Sequence, residues 1–310
     1  MVWTNYHLKF RLQSPMHIGY RKVGNLMQTR KYVPGKNLWA ALTARLTRDF
    51  SDAKWNLGYK RVGECVAAQF RFGYLWPSID ETTPCYFWKK DERDYFDFDY
   101  LFLDSYASAA LDYSAYSTEE GSLHETEFIA PVARTGRTGK PVFLLGDLWA
   151  KDGKIDSAAW QKSMEYLQLG GERTYGWGRL ALRSNWMDCS RGSGKTSAGH
   201  LWGEERDEVV ISLSENERIT AHALAAFNEA HAVGSHYSKC CGNTAYHVST
   251  DARGVTNDVV GPVEPIVGRE WSSFAGQNVC FGGIYFMPGG KLKRCGKFAI
   301  DSFGRWESNG

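Results

Sequence analysis

Apolar and polar residues alternate near the start of the chain. Leu8, Phe10 and Leu12 fall on one side of an extended backbone, with basic residues between them. Side chains of a β-strand point alternately to its two faces, so this pattern predicts a half-buried strand over residues 7–12. Proline cannot donate a hydrogen bond to a strand ladder, and the strand is therefore expected to end before Pro15.

A helical pattern follows at residues 38–49. Leu38, Leu42 and Leu46 recur at intervals of four, which places them on one apolar stripe of a helix. Asn37 is a suitable N-cap, because its side chain can accept a hydrogen bond from a free amide of the first turn. The pattern therefore predicts an amphipathic helix that packs on the first strand.

The order of the next elements indicates a fold class. Residues 51–123 show no sustained period and are interpreted as an insertion, in which residues 66–76 are compatible with a strand or a short helix. Beyond it the pattern predicts strand, strand, helix and strand over residues 128–132, 141–149, 156–169 and 177–182. The order βαββαβ is that of a ferredoxin-like sandwich, which RNA-recognition modules (RRM) share. We predict an α+β protein with a ferredoxin-like (RRM-like) domain at residues 1–185 and an insertion at about 51–123.

The remainder, residues 186–310, is predicted to be a β-rich C-terminal domain. A stretch rich in Ser, Gly and Lys at residues 190–199 indicates a linker. Apolar runs predict a helix at 219–230 and strands at 208–213, 278–287 and 291–300, the last two as a hairpin. A degenerate second RRM-like domain is the alternative reading of this region.

Charge and cysteine content narrow the classes of function. Lys and Arg total 37 and Asp and Glu total 35, so any contact with nucleic acid must use local basic segments. No apolar run approaches the ~20 residues that cross a bilayer, and the N-terminus lacks the pattern of a secretory signal. The seven cysteines are irregularly spaced, which is typical of free thiols in a reducing compartment. We expect a cytoplasmic protein without a membrane partner.

One segment concentrates glycine and arginine. Residues 170–179 read Gly-Gly-Glu-Arg-Thr-Tyr-Gly-Trp-Gly-Arg. Glycine permits positive φ and a close approach of the backbone to a ligand, and the planar fork of arginine matches phosphate oxygens. The segment is either a loop that receives a polyanion or an ordinary turn between a helix and a strand. Basic residues also cluster at 19–36 and at 134–140.

Two of these segments resemble the RAMP superfamily of CRISPR-associated proteins. Residues 15–19, Pro-Met-His-Ile-Gly, and residues 29–37, Thr-Arg-Lys-Tyr-Val-Pro-Gly-Lys-Asn, are similar to the turn and first-helix cap with which that superfamily opens. Residues 170–179 resemble its glycine-rich loop before the last strand of the ferredoxin-like domain, and the basic residues 134–140 before a strand also fit. The matching motifs lie within residues 8–183.

The resemblance implies an RNA-binding subunit of a type III CRISPR effector complex that has no catalytic residue, metal or other cofactor. Residues 263–271, Val-Glu-Pro-Ile-Val-Gly-Arg-Glu-Trp, resemble the type III-D RAMP subunits that cap the 5′ end of the guide. The implied partners are CRISPR RNA, the large polymerase-like subunit and backbone RAMP subunits, with target RNA contacted indirectly. The 5′ segment of a guide is single-stranded, so its bases can stack on Tyr20, Tyr175 or Trp177. The implied RNA-binding residues are Gly19, Tyr20, Arg21, Lys22, Arg30, Lys31, Lys36, Arg134, Arg137, Gly170, Gly171, Arg173, Tyr175, Gly176, Gly178 and Arg179.

Two alternatives assign catalysis to the chain. RAMP endoribonucleases that process repeat RNA use a histidine as general acid or base, a role that would fall to His17. Those enzymes carry the glycine loop close to the C-terminus, however, whereas about 130 residues follow it here. A backbone RAMP subunit would instead cleave target RNA with a metal held by an aspartate among Asp91, Asp94, Asp97 and Asp99.

A separate cluster raises the question of zinc. It consists of His231, His236, Cys240, Cys241 and His247. Zinc needs four nitrogen or sulfur ligands, and the paired Cys-x-x-Cys spacing of structural zinc sites is missing here. Buried thiols and surface histidines are the simpler interpretation of this cluster.

Overall fold

The chain folds as an α+β protein with few helices and many strands. The structure is a computed structural model, and it describes residues 2–49, 58–89, 97–153, 155–226, 256, 258–270 and 278–309. Within these ranges the α-helices are α1 (Gly35–Asp49), α2 (Gly58–Gln69), α3 (Phe98–Phe102) and α4 (Ser157–Met164). The strands in the same ranges are β1 (Thr4–Leu12), β2 (Gly19–Val23), β3 (Leu26–Thr29), β4 (Phe70–Phe72), β5 (Trp76–Ser78), β6 (Leu103–Ser108), β7 (Leu111–Asp112), β8 (Ser117–Thr118), β9 (His124–Ile129), β10 (Val132–Ala133), β11 (Lys140–Pro141), β12 (Phe143–Ala150), β13 (Leu180–Leu182), β14 (Cys189–Arg191), β15 (Ser193–Lys195), β16 (Leu201–Glu205), β17 (Glu208–Leu213), β18 (Ala223–Ala226), β19 (Val259–Val260), β20 (Val263–Glu270), β21 (Asn278–Phe286), β22 (Lys291–Leu292), β23 (Gly296–Ile300) and β24 (Trp306–Ser308).

The first sheet is built around β1. Its strands follow the order β13-β1-β12-β4, and β14 and β5 add further pairs to β1 and β12. The pairing of β1 with β12 is antiparallel and joins residues 4–11 to residues 143–150. Leu8, Phe10 and Leu12 are at most 1% exposed, which confirms the predicted alternation.

Helices α1 and α4 pack with the first sheet in one hydrophobic core. Leu8 and Phe10 of β1 share this core with Leu38 and Leu42 of α1 and with Trp160 of α4. The apolar stripe predicted for residues 38–49 is thus buried against the sheet, as expected for an amphipathic helix that covers one sheet face.

The second half of the chain covers the opposite face of the first sheet. Trp149 of β12 packs edge-on against Trp202 of β16, with ring centroids 6.1 Å apart. Both belong to a second core that also contains Trp3, Trp76 and Ile211. We call this contact between the two halves the seam. Because every residue of β12 after Phe143 is buried, this strand has no face open to solvent.

Most of the described strands after residue 192 form one large sheet. Its strands follow the order β15-β16-β17-β23-β24-β18-β21-β20. All of the neighbouring pairs are antiparallel except β18 with β24, which is parallel. The described residues after 185 are β-rich, as predicted. An RRM-like domain also needs helices, and none occurs in that described part, so the RRM-like alternative for the second half gains no support.

A third sheet, of order β2-β3-β9-β6, carries a projecting hairpin. Strands β6 and β9 pair antiparallel, from Leu103 opposite Ile129 to Ser108 opposite His124, and β7 and β8 continue the ribbon. No residue from 104 to 123 is buried. We call residues 104–123 the arm.

The second strand of the first sheet differs from the prediction. The sequence pattern assigns residues 128–132 to it, but β4 and β5 occupy that position beside β12. Only Phe128 and Ile129 of the predicted segment belong to β9, which pairs with β3 and β6 in the third sheet, and Val132 belongs to β10, which pairs with β11. Residues 66–76 contain the end of α2, all of β4 and the start of β5. Periodicity indicates that a strand forms, whereas its partners are decided by tertiary contacts.

Two predictions for the second half are wrong. Strand β18 lies within the helix predicted at residues 219–230, of which 227–230 are outside the described residues. Alanine and leucine favour helices, but pairing with β21 and β24 outweighs that preference. The predicted hairpin of 278–287 with 291–300 does not form, because β21 pairs with β18 and β20 while β23 pairs with β17 and β24.

Helix α1 begins at Gly35, so Asn37 lies in its first turn, where the Asn37 N–H donates to the Pro34 carbonyl oxygen at 2.9 Å. Proline is well suited to the start of a helix because its φ is already fixed. The predicted linker at 190–199 contains β15 and most of β14. None of the described helices is long and apolar enough to span a membrane.

Candidate functional site

The two segments that carry the resemblance meet in the fold. The Gly171 N–H donates to the His17 carbonyl oxygen at 2.9 Å, and the Gly178 N–H donates to the Pro15 carbonyl oxygen at 2.7 Å. These bonds join main-chain groups, so the contact depends little on side chains. We call the two segments together the paired turns: residues 14–19 and 170–179.

Glycine is required at two positions of the paired turns. Gly170 and Gly178 have φ values of +86° and +74°, in the left-handed region that favours glycine. A Cβ atom at Gly170 would overlap the His17 carbonyl oxygen, and one at Gly178 would overlap the Leu169 carbonyl oxygen. The glycines therefore make the close approach of the two segments possible.

The outer side of the paired turns presents cations and an aromatic ring. A single 3-10 turn, Arg173–Tyr175, lies between the glycines. Tyr175 is 81% exposed, and Arg173 and Arg179 also face solvent. The Gln168 side-chain amide donates to the carbonyl oxygens of Arg173 and Trp177, at 3.0 and 2.7 Å, which fixes the turn from within.

Two of the three aromatic candidates for base stacking are open to solvent. Trp177 packs against Phe128, with ring centroids 5.0 Å apart, and is only partly exposed. Tyr20 is 37% exposed, and the guanidinium groups of Arg30 and Arg21 lie 4.8 and 5.3 Å from its ring centroid. Tyr20 joins Tyr175 as an available stacking side chain.

Strand β2 leads from the paired turns into solvent. All of its residues from Gly19 to Val23 are exposed. The Arg21 Nε–H donates to the Gln28 side-chain oxygen at 2.6 Å, which orients the guanidinium, and Lys22 is also exposed. The predicted cations on β2 are therefore accessible to a ligand.

The remaining predicted cations lie in different surroundings. Three of them have carboxylate partners: Arg30 with Glu264 at 2.6 Å, Lys31 with Asp99 at 2.5 Å and Arg134 with Asp104 at 2.7 Å. The Lys36 ammonium lies 5.7 Å from the centroid of the Phe303 ring, and Arg137 is exposed. The structure thus separates cations that face solvent at the paired turns and β2 from cations that connect parts of the chain.

His17 is oriented by the third sheet. Its side chain is part-buried, and Nδ1 lies 2.7 Å from the Glu127 carbonyl oxygen. A carbonyl oxygen accepts only, so Nδ1 carries the hydrogen and the neutral ring keeps its lone pair on Nε2. A Cβ atom at Gly19 would lie 3.7 Å from that Nε2. The ring is therefore fixed in one tautomer, with its proton-accepting nitrogen towards the start of β2.

A buried polar cluster crosses the seam, and we call it the seam network: Arg30, Tyr32, Tyr74, His222 and Glu264. Glu264 accepts hydrogen bonds from Arg30 at 2.6 Å and from His222 Nε2 at 2.5 Å. The Tyr74 hydroxyl donates to His222 Nδ1 at 2.6 Å, and Arg30 also donates to the Tyr32 hydroxyl oxygen at 3.1 Å. These bonds tie the first half of the chain to the second.

Protonation in the seam network follows from burial and partners. Burial raises the pKa of Glu264, but hydrogen bonds from His222 and Arg30 outweigh burial and bring this pKa down to about 2. Burial lowers the pKa of His222, and its hydrogen bond to Glu264 offsets that effect only in part. Near neutral pH the network therefore combines a carboxylate, a guanidinium and a neutral imidazole, which leaves no net charge buried.

Sequence reasoning missed the seam network. It assigned Arg30 to RNA contact, placed His222 in a helix and used Glu264 only as part of a motif. Arg30 and Glu264 are 234 positions apart, and no local pattern indicates that they pair. The structure also removes one route to RNA: RRM modules stack bases on a sheet face, and the face of the first sheet that α1 and α4 leave open is covered at the seam.

The acidic residues considered for metal binding have other partners where they are described. Asp97 caps α3 by accepting hydrogen bonds from the N–H groups of Asp99 and Tyr100, at 3.0 and 3.2 Å. Asp99 pairs with Lys31. Among the described residues no group of three or more His, Cys, Asp or Glu is placed to hold a metal. Two of the aspartates and the whole zinc candidate lie outside the described residues: Asp91, Asp94, His231, His236, Cys240, Cys241 and His247.

Comparisons with known proteins give weak structural likenesses. No protein-family model and no curated protein matches the chain. A chain of the type III-B Cmr-beta cryo-EM structure in the apo state is 13% identical with a TM-score of 0.39, over 58% of this chain and 96% of that chain. A chain of Cmr-beta bound to cognate target RNA is 14% identical with a TM-score of 0.38, over 58% and 96%. A chain of Cmr-beta bound to cognate target RNA and AMPPnP is 12% identical with a TM-score of 0.46, over 93% and 86%.

Proposed function

We propose that this chain is a non-catalytic RNA-binding subunit of a type III CRISPR effector complex and holds the 5′ end of the CRISPR RNA at the paired turns. In this proposal it works in the cytoplasm beside the large polymerase-like subunit and the backbone RAMP subunits, and it meets target RNA through the guide. One observation carries the proposal. Two motifs that are far apart in sequence form a single surface through main-chain hydrogen bonds, and that surface exposes arginine and tyrosine.

The chemistry of the paired turns suits a single-stranded polyanion. Arg173 and Arg179 can each neutralise a phosphate, and arginine donates to phosphate oxygens in a planar fork. Tyr20 and Tyr175 offer rings for unpaired bases, and stacking contributes about 1–3 kcal/mol per base. Because main-chain bonds and the Gln168 side chain hold the turn, the side chains of Arg173, Tyr175 and Arg179 are not needed to shape it and can serve a ligand.

The strand order of the first sheet supports the same family of folds. With β1, β4, β12 and β13 as the four strands, the sheet runs fourth, first, third and second. We infer a ferredoxin-like βαββαβ domain with α1 and α4 as its helices and the arm as part of its insertion. RNA is then bound at an edge of the domain, since the sheet faces are covered.

The test is a titration of a fluorescently labelled single-stranded guide RNA with the full-length chain. The double variant Arg173→Ala/Arg179→Ala is expected to bind about tenfold more weakly or worse. It removes about two phosphate contacts, so the slope of log affinity against log salt should become shallower by about 1.4. Anisotropy between about 50 and 200 mM salt gives both quantities.

The matched control is Arg48→Ala/Arg294→Ala. These two arginines are also on the surface, with side chains 69% and 75% exposed. Their removal lowers the net charge equally and is expected to change affinity less than twofold. If both double variants lose RNA affinity equally, only the overall charge of the protein matters. If the slope of log affinity against log salt is unchanged in Arg173→Ala/Arg179→Ala, the paired turns have a purely structural role.

A second candidate function, repeat-RNA cleavage, is favoured by the geometry of His17. The Glu127 carbonyl oxygen fixes its tautomer, as expected of a general base. Incubation of the chain alone with labelled repeat RNA, with and without Mg²⁺, distinguishes the two functions. We expect no cleavage. If the unaltered chain cleaves the RNA and His17→Ala does not, the non-catalytic proposal is wrong and the chain is an endoribonuclease.

A further inference from the structure

The arm has tyrosine and leucine side chains that are exposed to solvent and are not buried in any core of the chain. Tyr106, Tyr113 and Tyr116 are 60%, 83% and 97% exposed, and Leu111 and Leu123 are more than half exposed. A two-stranded ribbon without a core beneath it is only marginally stable in water. Apolar surface concentrated on one projecting element marks an interaction site.

The root of the arm is firmly anchored. Arg134 donates to the carbonyl oxygens of Tyr100 and Leu103, at 2.9 and 2.8 Å, and pairs with Asp104 at 2.7 Å. A strand rises about 3.3 Å per residue, so β6 alone extends roughly 17 Å from Leu103 to Ser108, and β7 and β8 continue the ribbon beyond it. The arm is a fixed projection that can reach a neighbouring molecule.

The charge of the arm excludes one class of neighbour. Apart from Asp104, which pairs with Arg134 at the root, it carries the carboxylates of Asp112, Glu119 and Glu120, and the sequence has no Lys or Arg between Leu103 and Arg134. Affinity for a phosphate backbone comes from lysine and arginine, and carboxylates repel phosphate. A nucleic acid is therefore a poor occupant of this surface.

We propose that the arm docks onto a protein partner whose contacting surface is rich in lysine and arginine around an apolar centre. Tyrosines of the arm enter the apolar centre, because tyrosine is enriched among the residues that dominate protein interfaces. The carboxylates meet the partner's cations at the rim, where opposite charges steer association and fix orientation. The partner is a neighbouring subunit of the effector complex, so this inference rests on the proposed function.

Two variants of the full-length chain test the docking. Tyr106→Ser/Tyr113→Ser/Tyr116→Ser removes the rings, and Glu119→Lys/Glu120→Lys reverses charge. Asp112 is left in place because it accepts hydrogen bonds from the N–H groups of Ser114 and Ala115 and so shapes the tip. The matched control is Tyr166→Ser, which removes a tyrosine that is 58% exposed outside the arm.

The probes are the purified large polymerase-like subunit, a purified backbone RAMP subunit and labelled guide RNA. Calorimetry is expected to show that both arm variants bind one of the two subunits at least tenfold more weakly, while Tyr166→Ser binds normally. RNA affinity should stay within twofold of the unaltered chain in all three variants. Melting curves confirm that each variant is folded.

Each contrary outcome has a distinct meaning. Unchanged affinity for both subunits in both arm variants overturns the docking. Weaker RNA binding by the tyrosine variant, or tighter RNA binding by the lysine variant, overturns it in favour of an arm that contacts RNA. If the unaltered chain binds RNA but neither subunit, the docking fails and RNA binding at the paired turns stands. If it binds neither RNA nor subunit, the proposed function fails as well.

Discussion

Arg30 and Arg173 belong to one predicted set of RNA-binding cations, yet they lie in two contrasting regions. Arg30 is part of the seam network, where it donates hydrogen bonds to Glu264 and to the Tyr32 hydroxyl oxygen, and its side chain is only 17% exposed. Arg173 lies on the paired turns, where main-chain bonds make the structure and the side chain faces solvent. The role of a basic residue thus depends on whether the fold brings a carboxylate to it.

The contrast predicts opposite consequences of substitution. Changes in the seam network should lower the free energy of unfolding and leave RNA affinity of the folded protein intact. Changes to side chains of the paired turns should weaken RNA binding and leave stability intact. Measurements of both quantities on the same variants can break or sharpen this division.

The largest effect is expected for Glu264→Ala. It leaves Arg30 and His222 buried without their carboxylate, and removing one partner of a buried ion pair typically costs about 3–5 kcal/mol. Urea denaturation measures the loss. The control Asp258→Ala breaks the surface pair with Arg294, whose side chain is 75% exposed, and should cost less than about 1 kcal/mol. Similar losses in both variants would contradict a special role for the seam network.

The second-largest effect is expected from acid, which should lower the free energy of unfolding through the seam network. The pKa of Glu264 is about 2 in the folded protein against an ordinary 4.5, so its contribution is complete above about pH 4.5 and is lost as the pH falls towards 2. This difference between the pKa of Glu264 in the folded and the unfolded protein corresponds to about 3 kcal/mol of unfolding free energy. The lowered pKa of His222 acts in the same direction from a higher pH, because below about 6.5 the unfolded chain takes up a proton that the folded chain does not.

Urea titrations of the unaltered chain and Glu264→Gln across this pH range measure the effect. Glu264→Gln should show a flatter decline in unfolding free energy below pH 4.5, because glutamine does not titrate. If the unfolding free energies of the two proteins decline in parallel, other carboxylates cause the sensitivity to acid.

Gly178→Ala tests the backbone of the paired turns. A Cβ atom there overlaps the Leu169 carbonyl oxygen at a φ of +74°, so we expect a loss of about 2–4 kcal/mol of stability together with loss of RNA binding. Gly24→Ala is the matched control, with a φ of +58° and no atom within 4 Å of the added carbon. It should cost about 1 kcal/mol and leave RNA affinity unchanged. If Gly178→Ala folds and binds RNA normally, the backbone of residues 170–179 does not contribute to the RNA site.

The smallest effect is expected for Tyr175→Ala. Loss of a stacked base should weaken RNA binding by about 1–3 kcal/mol, whereas stability should change by less than about 0.5 kcal/mol because the ring is 81% exposed. Fluorescence anisotropy and urea titration give the two values. Tyr166→Ala, which removes another exposed tyrosine, should alter neither, and an equal loss of affinity in it would argue against stacking on Tyr175.

The fold was predictable where a pattern is local. Alternation located β1, the four-residue period located the stripe of α1, and glycine content located the loop before β13. Pairing was not predictable, because β9 has the same kind of pattern as a strand of the first sheet but joins the third. Residues 223–226, Ala-Leu-Ala-Ala, likewise favour a helix, and pairing with β21 and β24 makes them the strand β18.

The candidate site was predictable for a related reason. The glycines of residues 170–179 predicted a turn with positive φ, and the resemblance pointed to residues 15–19 as well. The main-chain contacts that join the two segments come from the structure. Partners of individual cations were not visible. Arg30, Lys31 and Arg134 look like Arg173 in sequence, and their carboxylate partners come from distant segments.

The tryptophans at the seam make the intrinsic fluorescence of the protein sensitive to the contact between its two halves. Five of the twelve tryptophans belong to the core between the halves, and each is at most 4% exposed. Indole emission moves to longer wavelength when water reaches the ring, so any hinge motion that parts the halves would be visible in unlabelled protein. Guide loading that leaves the emission maximum in place would identify a rigid platform, and a red shift would identify a clamp that opens.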